Sequence, residues 1–365
     1  MTGGGTGGHL YPALAIAEKI KEREPDSDIL FLGEAGGMES EIVPKNGYAF
    51  RAVPARWFYR EEGFWYTVKE FFKASKATLA GIRAVRGIVK EFRPDAVIGT
   101  GGFVSVPVII GAHSRKVPCY IHEQNARPGL GNKIMQRFCD RIFLGISGAE
   151  AAFKDPSKTE FTGNPVRAAF LSTTKESARE KLGIPQGDKV LFTFGGSLGS
   201  KAINDIAWDY AKRIAGKEGY ALLFGTGNRW YDGVIAQAEE EGVKGDNIRI
   251  YPYIEDMPNY IAAADLVVCR SGALSMAEVA VTGRASVLIP YPWAANDHQY
   301  YNAKSIADAG GALLYRQEEV EPEKLVDEIF TLLEDPERLA AMGEAAKAAC
   351  PANATDRIYE GVTRG

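Results

Sequence analysis

The chain has 365 residues, 45% of them hydrophobic and 25% charged, a globular composition that excludes collagen-like, disordered and coiled-coil classes and makes about two domains the expectation. No apolar run reaches the ~18 residues of a membrane-crossing helix, and the opening Met1-Thr2-Gly3-Gly4-Gly5 has neither the basic nor the apolar part of a secretion signal. Net charge is −4, so no chain-wide field draws nucleic acid, and four cysteines without CxxC spacing read as the reduced thiols of a cytosolic protein.

Short β-type runs alternate with helix-period stretches from end to end. The first half predicts strands at Asp28–Leu32, Ala49–Val53, Asp95–Gly99, Cys119–His122 and Arg141–Leu144, with helices over Tyr11–Arg23 and Phe64–Phe92. The second predicts strands at Lys189–Phe194, Ala221–Phe224, Asn247–Tyr251, Leu266–Cys269, Ser286–Ile289 and Ala312–Tyr315. Runs such as VLFTF and DLVVC are continuously apolar, as parallel strands buried on both faces should be. Thr162-Gly163-Asn164-Pro165 breaks the helical pattern. The expected organisation is α/β with two Rossmann-like domains, 1–163 and 164–340, and C-terminal helices over 341–365 returning to the first.

Glycine loops stand where strands hand over to helices: GGGTGGH (Gly3–His9), Thr100-Gly101-Gly102-Phe103 and GGSLGS (Gly195–Ser200). Only Met1-Thr2 precede the first of them, although such a loop needs a strand before it. A start a handful of residues upstream is the expectation. Gly3, Gly5 and Gly8 satisfy GxGxxG, and Glu34 ends the next strand where a ribose-binding acid would sit. His9 opens the helix and faces whatever the loop binds, and an imidazole can take a proton near neutral pH. The first two loops, rich in backbone N–H groups, could together cradle a diphosphate.

In the second half, Ser271-Gly272-Ala273-Leu274-Ser275 follows LVVC and opens a helix, with Glu278 one turn in. A carboxylate there can accept both hydroxyl protons of a ribose whose diphosphate sits at the helix start. Asp297-His298-Gln299 follows the strand SVLIP, at the strand end that faces ligands. No GxxxxGK[ST] or GxSxG occurs, and no His/Cys spacing forms a zinc site. Asp26-Ser27-Asp28 is formally a DxD metal clamp, but it precedes its strand and reads as a turn; no metal site is expected.

One segment departs from the overall charge. Between Arg56 and Arg93 there are nine basic side chains (Arg56, Arg60, Lys69, Lys73, Lys76, Arg83, Arg86, Lys90, Arg93) against four acidic ones (Glu61, Glu62, Glu70, Glu91), a local charge of +5. Trp57, Phe58, Tyr59, Phe64, Trp65, Tyr66, Phe71 and Phe72 interleave with them. Basic plus aromatic is the composition of an anionic-membrane surface, and equally of a core helix with a solvated basic face.

GGGTGGH, GTGGF, HEQN (His122–Asn125), GNPVR (Gly163–Arg167), GGSLGS, CRSGALSMAE (Cys269–Glu278) and DHQYYNA (Asp297–Ala303), in this order, resemble the MurG family of bacterial N-acetylglucosaminyltransferases, in glycosyltransferase family 28. The resemblance runs nearly end to end. It implies a GT-B fold, with domains facing across a cleft, and transfer of N-acetylglucosamine from UDP-N-acetylglucosamine to lipid I, the undecaprenyl-diphosphate-linked MurNAc-pentapeptide, giving lipid II. It implies inverting, metal-independent chemistry with His9 as general base. It implies a donor set of Thr6, Gly7, Gly8, Asn125, Arg167, Ser197, Ile254, Ala273, Leu274, Ser275, Glu278 and Gln299. Glu278 would hold the ribose, Ala273, Leu274 and Ser275 the diphosphate, Ile254 the uracil, and Gln299 and Asn125 the sugar. Gly5, Thr6, Gly7, Thr100, Gly101 and Gly102 would receive the acceptor diphosphate. Tyr300 stands where many relatives carry a second Gln. A lipid-linked acceptor implies peripheral association with the cytoplasmic face of the cell membrane through the Arg56–Arg93 stretch, and membrane cell-wall enzymes as partners.

Other readings compete. A nicotinamide-dependent oxidoreductase would explain GxGxxG and Glu34 but not SGALSMAE. A UDP-N-acetylglucosamine 2-epimerase would share the architecture and donor site without a lipid surface, and a lipid glycosyltransferase is the nearest relative in chemistry. A non-catalytic nucleotide-sugar-binding subunit would have no use for His9.

Overall fold

The computed structural model describes residues 1–56 and 64–364. Trp57, Phe58, Tyr59, Arg60, Glu61 and Glu62 lie outside the described residues, as do the side chains of Phe64, Trp65, Tyr66, Lys69 and Phe71. The chain divides into two units, Met1–Val166 with Asn353–Gly365, and Arg167–Ala352.

Unit 1 contains β1 (Leu30–Gly33), β2 (Ala49–Ala52), β3 (Val97–Gly99), β4 (Cys119–Glu123), β5 (Arg141–Leu144) and β6 (Thr159–Phe161). The pairs β1–β2, β3–β4, β4–β5 and β5–β6 are all parallel. Between β1 and β3 lie Met1 and Thr2: Thr2 bridges Leu32 on one side and Gly99 on the other, both in parallel sense. The Thr2 N–H donates to the Ile98 carbonyl at 2.9 Å, and the Leu32 N–H donates to the Met1 carbonyl at 2.9 Å. Two residues thus occupy the central position where a longer strand was expected, and their bonds aim the following glycine loop.

The Phe64–Phe92 helix packs one face against the Ser105–His113 helix. A Cβ on Gly81 would lie 2.9 Å from Pro107, and one on Gly111 would lie 2.8 Å from Val85. The final helix, Ala354–Thr363, belongs to unit 1. Its fully buried Ile358 joins Ile16, Tyr120 and Phe143 in one apolar cluster, and Arg23 pairs with Asp356 at 2.6 Å. The return of the chain to unit 1 therefore begins at Asn353, later than the expected 341. The preceding Pro336–Ala349 helix stays in unit 2 because Met342, Gly343 and Ala346 are buried there, with Gly343 set directly against the Gly283 carbonyl.

Unit 2 is a six-stranded parallel sheet of β7 (Lys189–Phe194), β8 (Tyr220–Gly225), β9 (Ile248–Tyr251), β10 (Leu266–Cys269), β11 (Ala285–Leu288) and β12 (Ala312–Leu314), in the order β12-β11-β10-β7-β8-β9. Strand order reverses at β7/β10, the switch point at whose carboxyl edge open α/β sheets bind ligands. The apolar runs fill the core as their pattern requires: Leu191, Leu222, Phe224, Leu266 and Val268 are fully buried. Both units are Rossmann-like α/β layers, as the alternation of elements predicts.

Candidate active site

In unit 1 the ends of β3 and β4 converge on His9. The Gly7–Arg23 helix starts with no side-chain cap at Thr6, which leaves its first amides to a ligand or to water. Gly5, Thr6 and Gly8 are exposed, Gly7 is half-buried, and Gly5 has φ +83°, a left-handed conformation that favours glycine. Behind them the two glycine loops interlock. A Cβ at Gly102 would fall 2.3 Å from the Gly4 carbonyl oxygen, and one at Gly101 would fall 2.7 Å from His9 Nδ1.

His9 Nδ1 lies 3.1 Å from the Thr100 carbonyl oxygen and 3.3 Å from Gln124 Oε1. Two acceptors on one ring nitrogen put the proton on Nδ1 and the basic lone pair on Nε2. The Thr100 hydroxyl donates to the His9 carbonyl at 2.6 Å. Thr100, expected on the acceptor diphosphate, is fully buried, and its hydroxyl braces the His9 backbone. Gly101 is buried and Gly102 half-buried, so of this loop Gly102 is the nearer to solvent.

The HEQN segment holds more than sequence reasoning assigned to it. His122 is fully buried, and desolvation lowers its pKa to about 4 against the opposing bond to Gly163; it stays neutral in the working range. The Glu123 carboxylate, also buried, accepts from Asn125 N–H and Nδ2 at 2.9 and 3.1 Å, from Gly129 N–H at 3.1 Å and from Asn132 Nδ2 at 2.8 Å. It thereby fixes the half-buried Asn125. Glu39 performs the same service beneath the first glycine loop, accepting from the Glu34 N–H at 3.0 Å and the Gly5 N–H at 3.4 Å. Glu34 itself has its carboxyl pushed upward by desolvation and by Glu39. Glu39 accepts from backbone amides five and 34 positions away, whereas the partners of Glu123, two backbone and two side-chain N–H groups, all lie within nine residues of it.

In unit 2 the Ala273–Val281 helix starts at Gly272, again without a side-chain cap. Ala273 is buried while Leu274, Ser275 and Glu278 are half-buried. Desolvation raises the Glu278 carboxyl to about 7, and the nearby Arg167 guanidinium pulls the other way. Arg167 stands at the N-cap position of the Ala168–Ser172 helix without a side-chain capping bond, and its guanidinium lies 5.2 Å over the Phe170 ring. Ser197 is exposed on its loop, and Ile254 is buried, its Cδ1 3.2 Å from where a Gly225 Cβ would be. Gln299 Oε1 accepts the Tyr291 N–H at 3.0 Å. Tyr300 is covered by the Arg316 guanidinium at 3.8 Å.

A residue the motifs did not single out ties these loops together. Arg270 donates to the Ser200 hydroxyl at 2.7 Å, to the Ile289 and Pro290 carbonyls at 3.1 and 2.9 Å, and to Gln317 Oε1 at 2.6 Å. Burial lowers its pKa, and none of these partners is a carboxylate. His9, Gly5–Gly8, Gly101, Gly102 and Asn125 thus belong to unit 1, and Arg167, Ser197, Ile254, Ala273–Ser275, Glu278 and Gln299 to unit 2. Among the described residues no group of three His, Cys, Asp or Glu side chains could hold a metal ion, and Asp26 lies in a turn.

The glycosyltransferase family 28 N-terminal domain matches residues 1–144 and its C-terminal domain matches residues 190–358. A UDP-N-acetylglucosamine–N-acetylmuramyl-(pentapeptide) pyrophosphoryl-undecaprenol N-acetylglucosamine transferase of Acetivibrio thermocellus is 43% identical over 362 residues, 99% of this chain and 96% of that protein. The same-named protein of Clostridioides difficile is 40% identical over 100% of this chain and 88% of its own length. Among solved structures, Acinetobacter baumannii MurG superposes with a TM-score of 0.75 at 27% identity, covering 100% of this chain and 98% of that one. The UDP-bound MnaA of Staphylococcus aureus shares the fold at 13% identity and a TM-score of 0.69, over 100% and 95% of the two chains. The chain belongs to glycosyltransferase family 28, and within it to the MurG enzymes.

Proposed function

We propose that the protein transfers N-acetylglucosamine from UDP-N-acetylglucosamine to the C4 hydroxyl of MurNAc in undecaprenyl-diphosphate-linked MurNAc-pentapeptide. Full-length identity to relatives named for this transfer carries the reading, and the geometry supplies roles. The uncapped start of the Ala273–Val281 helix offers the amides of Ala273, Leu274 and Ser275 to the donor diphosphate, which the helix dipole favours. Glu278 accepts from the ribose hydroxyls, Ile254 packs on the uracil, Ser197 and Arg167 meet the phosphates, and Gln299 and Asn125 orient the sugar. In unit 1, Thr6, Gly7 and Gly8 serve the donor, while Gly5, Thr6, Gly7 and the Gly101–Gly102 turn serve the acceptor diphosphate.

The reaction is a single displacement with inversion. The acceptor C4 oxygen attacks the anomeric carbon as the bond from that carbon to the β-phosphate oxygen breaks. The hydroxyl proton passes to His9 Nε2, and UDP leaves with the bonding pair. Negative charge grows on the diphosphate, where fixed amides and Arg167 stabilise it, without a metal ion.

Phe72, Lys76, Leu79, Arg83, Arg86 and Lys90 are all exposed and recur at three- and four-residue steps, so they form one stripe along the Phe64–Phe92 helix. No helix among the described residues is long and apolar enough to cross a membrane. Such a stripe suits peripheral docking on an anionic leaflet, here the cytoplasmic face, where cell-wall enzymes of the membrane would be partners. The deciding experiment is UDP release from UDP-N-acetylglucosamine with and without a short-chain lipid I analogue, in EDTA. Acceptor-dependent release with a disaccharide product supports both the transfer and its metal independence. Donor binding without release points to a non-catalytic binding subunit.

A further inference from the structure

Behind His9 runs a chain of hydrogen bonds whose directions are all determined. It starts at Gly163, whose carbonyl lies 3.1 Å from His122 Nε2. A carbonyl only accepts, so that nitrogen carries the proton and His122 Nδ1 is left as an acceptor. Gln124 Nε2 lies 3.1 Å from this Nδ1 and 2.6 Å from the Thr100 carbonyl oxygen. Turned the other way, the amide would set its oxygen 2.6 Å from another oxygen and opposite a lone pair. The orientation is thus fixed, and Gln124 Oε1 must face His9 Nδ1, at 3.3 Å. The Thr100 carbonyl is already engaged by the shorter Gln124 bond, so it is a shared acceptor for His9. The Gln124 backbone is anchored too: its carbonyl accepts from Asn164 Nδ2 at 3.1 Å. Gln124 is 2% exposed and His122 fully buried, so water does not compete for these bonds.

We propose that Gln124 is a positioning residue for the transfer, holding His9 in the Nδ1–H tautomer with its basic Nε2 turned to the acceptor hydroxyl, and that buried His122 sets the direction of the Gln124 amide. This rests on His9 being the base, as proposed above. A base in the wrong tautomer presents a proton where the reaction needs a lone pair, and the cost falls on turnover rather than on donor binding. The neutrality of His122, whose pKa burial lowers to about 4, keeps its Nδ1 an acceptor across the pH range in which a transferase would work.

Imidazole 15N spectra of the full chain without substrates read the tautomers directly. With four histidines in the sequence, His9→Gln assigns the His9 signals. The wild-type protein should show His9 as the Nδ1–H form and His122 as the Nε2–H form. An Nε2–H or averaged His9 overturns the proposal and needs no further variant. Gln124→Met keeps the length and removes both polar atoms. It should move the His9 pattern toward that of a two-tautomer ring and lower kcat on the order of 10–100-fold, with the donor KM within twofold. An unchanged pattern overturns the proposal whatever the rate does, because a fall in kcat with the tautomer intact makes Gln124 merely structural. The base assignment fails separately, if His9→Ala keeps full turnover; the tautomer measurement is unaffected by that result.

Discussion

His9 and Glu278 each stand within the first two turns of a helix that begins without a side-chain cap, yet the two are held in opposite ways. His9 is pinned through neutral hydrogen bonds to groups at the ends of β3 and β4. Glu278 accepts no hydrogen bond from a described residue, and its state is governed by desolvation and the field of Arg167. The difference matches two tasks. A base must point a lone pair in one direction before the substrate arrives, so preorganisation matters most. A binding carboxylate can wait, half-buried, for the hydroxyls that will satisfy it. Perturbing the first should change turnover at constant donor affinity, and perturbing the second should do the reverse.

The largest expected effect follows from removing the pinned group. His9→Ala should lower kcat by about 10²–10⁴-fold, the range for a lost general base, with donor affinity by calorimetry within twofold of wild type. If both constants moved together by a small factor, the contrast between the two sites would collapse.

Glu278→Gln tests the other half. Loss of hydrogen bonds to a charged acceptor, worth about 1.5–3 kcal/mol, should weaken UDP-N-acetylglucosamine binding on the order of 10–100-fold and leave kcat at saturation nearly unchanged. The pH dependence sharpens this. The folded carboxyl keeps its proton up to about pH 7, against an ordinary value of 4.5. Ribose hydroxyls donate best to the ionised form, so wild-type affinity should rise with pH by up to about tenfold per unit below 7 and then level off. The donor's diphosphate diester does not titrate in this window. Glu278→Gln should give a flat profile, and a wild-type profile equally flat would remove Glu278 from the site. Stability has the matching sign: between 4.5 and 7 the native state holds the extra proton, so this carboxyl makes folding less favourable as pH rises through that interval.

A smaller effect is expected from crowding the pinned group without deleting it. Gly101 has φ +105°, and its Cβ would lie 2.7 Å from His9 Nδ1. Gly101→Ala should displace the ring, lowering kcat on the order of tenfold and stability by about 1–3 kcal/mol. Gly148→Ala is the control: its φ is +89° with nothing within 4 Å of the added carbon, so it carries the backbone cost and should leave kcat alone.

Much of the fold was legible in the sequence because parallel strands buried on both faces announce themselves as apolar runs. β5, β7 and β10 begin and end at their expected residues. β6, Thr159–Phe161, escaped because three half-buried residues at a sheet edge carry no such signal. The loops of the site were equally visible, since glycine marks places where chains pass too closely for a side chain. The groups behind the loops were not. Gln124 lies 115 positions from His9, and Glu39 lies 34 positions from the Gly5 amide it accepts. Only the folded sheet brings them together, so no local pattern betrays a Gln or Glu that serves a group so far along the chain.

The exposed stripe on the Phe64–Phe92 helix should matter least to the chemistry and most to location, which makes it a clean separation of the two. Lys76, Arg83 and Lys90 lie outward, opposite the buried Val85 and Val89, so replacing the three by Gln leaves the packed face untouched. Each basic side chain near an anionic surface contributes about 1 kcal/mol, so the triple variant should bind vesicles rich in anionic lipid about 10²-fold more weakly at low salt. Phe72 and Leu79, 68% and 56% exposed, add an apolar component that salt does not screen, and Leu79→Ser should reduce the binding that persists at high ionic strength. Turnover of a water-soluble, short-chain acceptor should not change in either variant, whereas turnover of a vesicle-embedded acceptor should fall with the loss of binding. Equal loss on both acceptors would mean that the stripe supports the catalytic unit's fold; no loss of vesicle binding would move the membrane surface elsewhere.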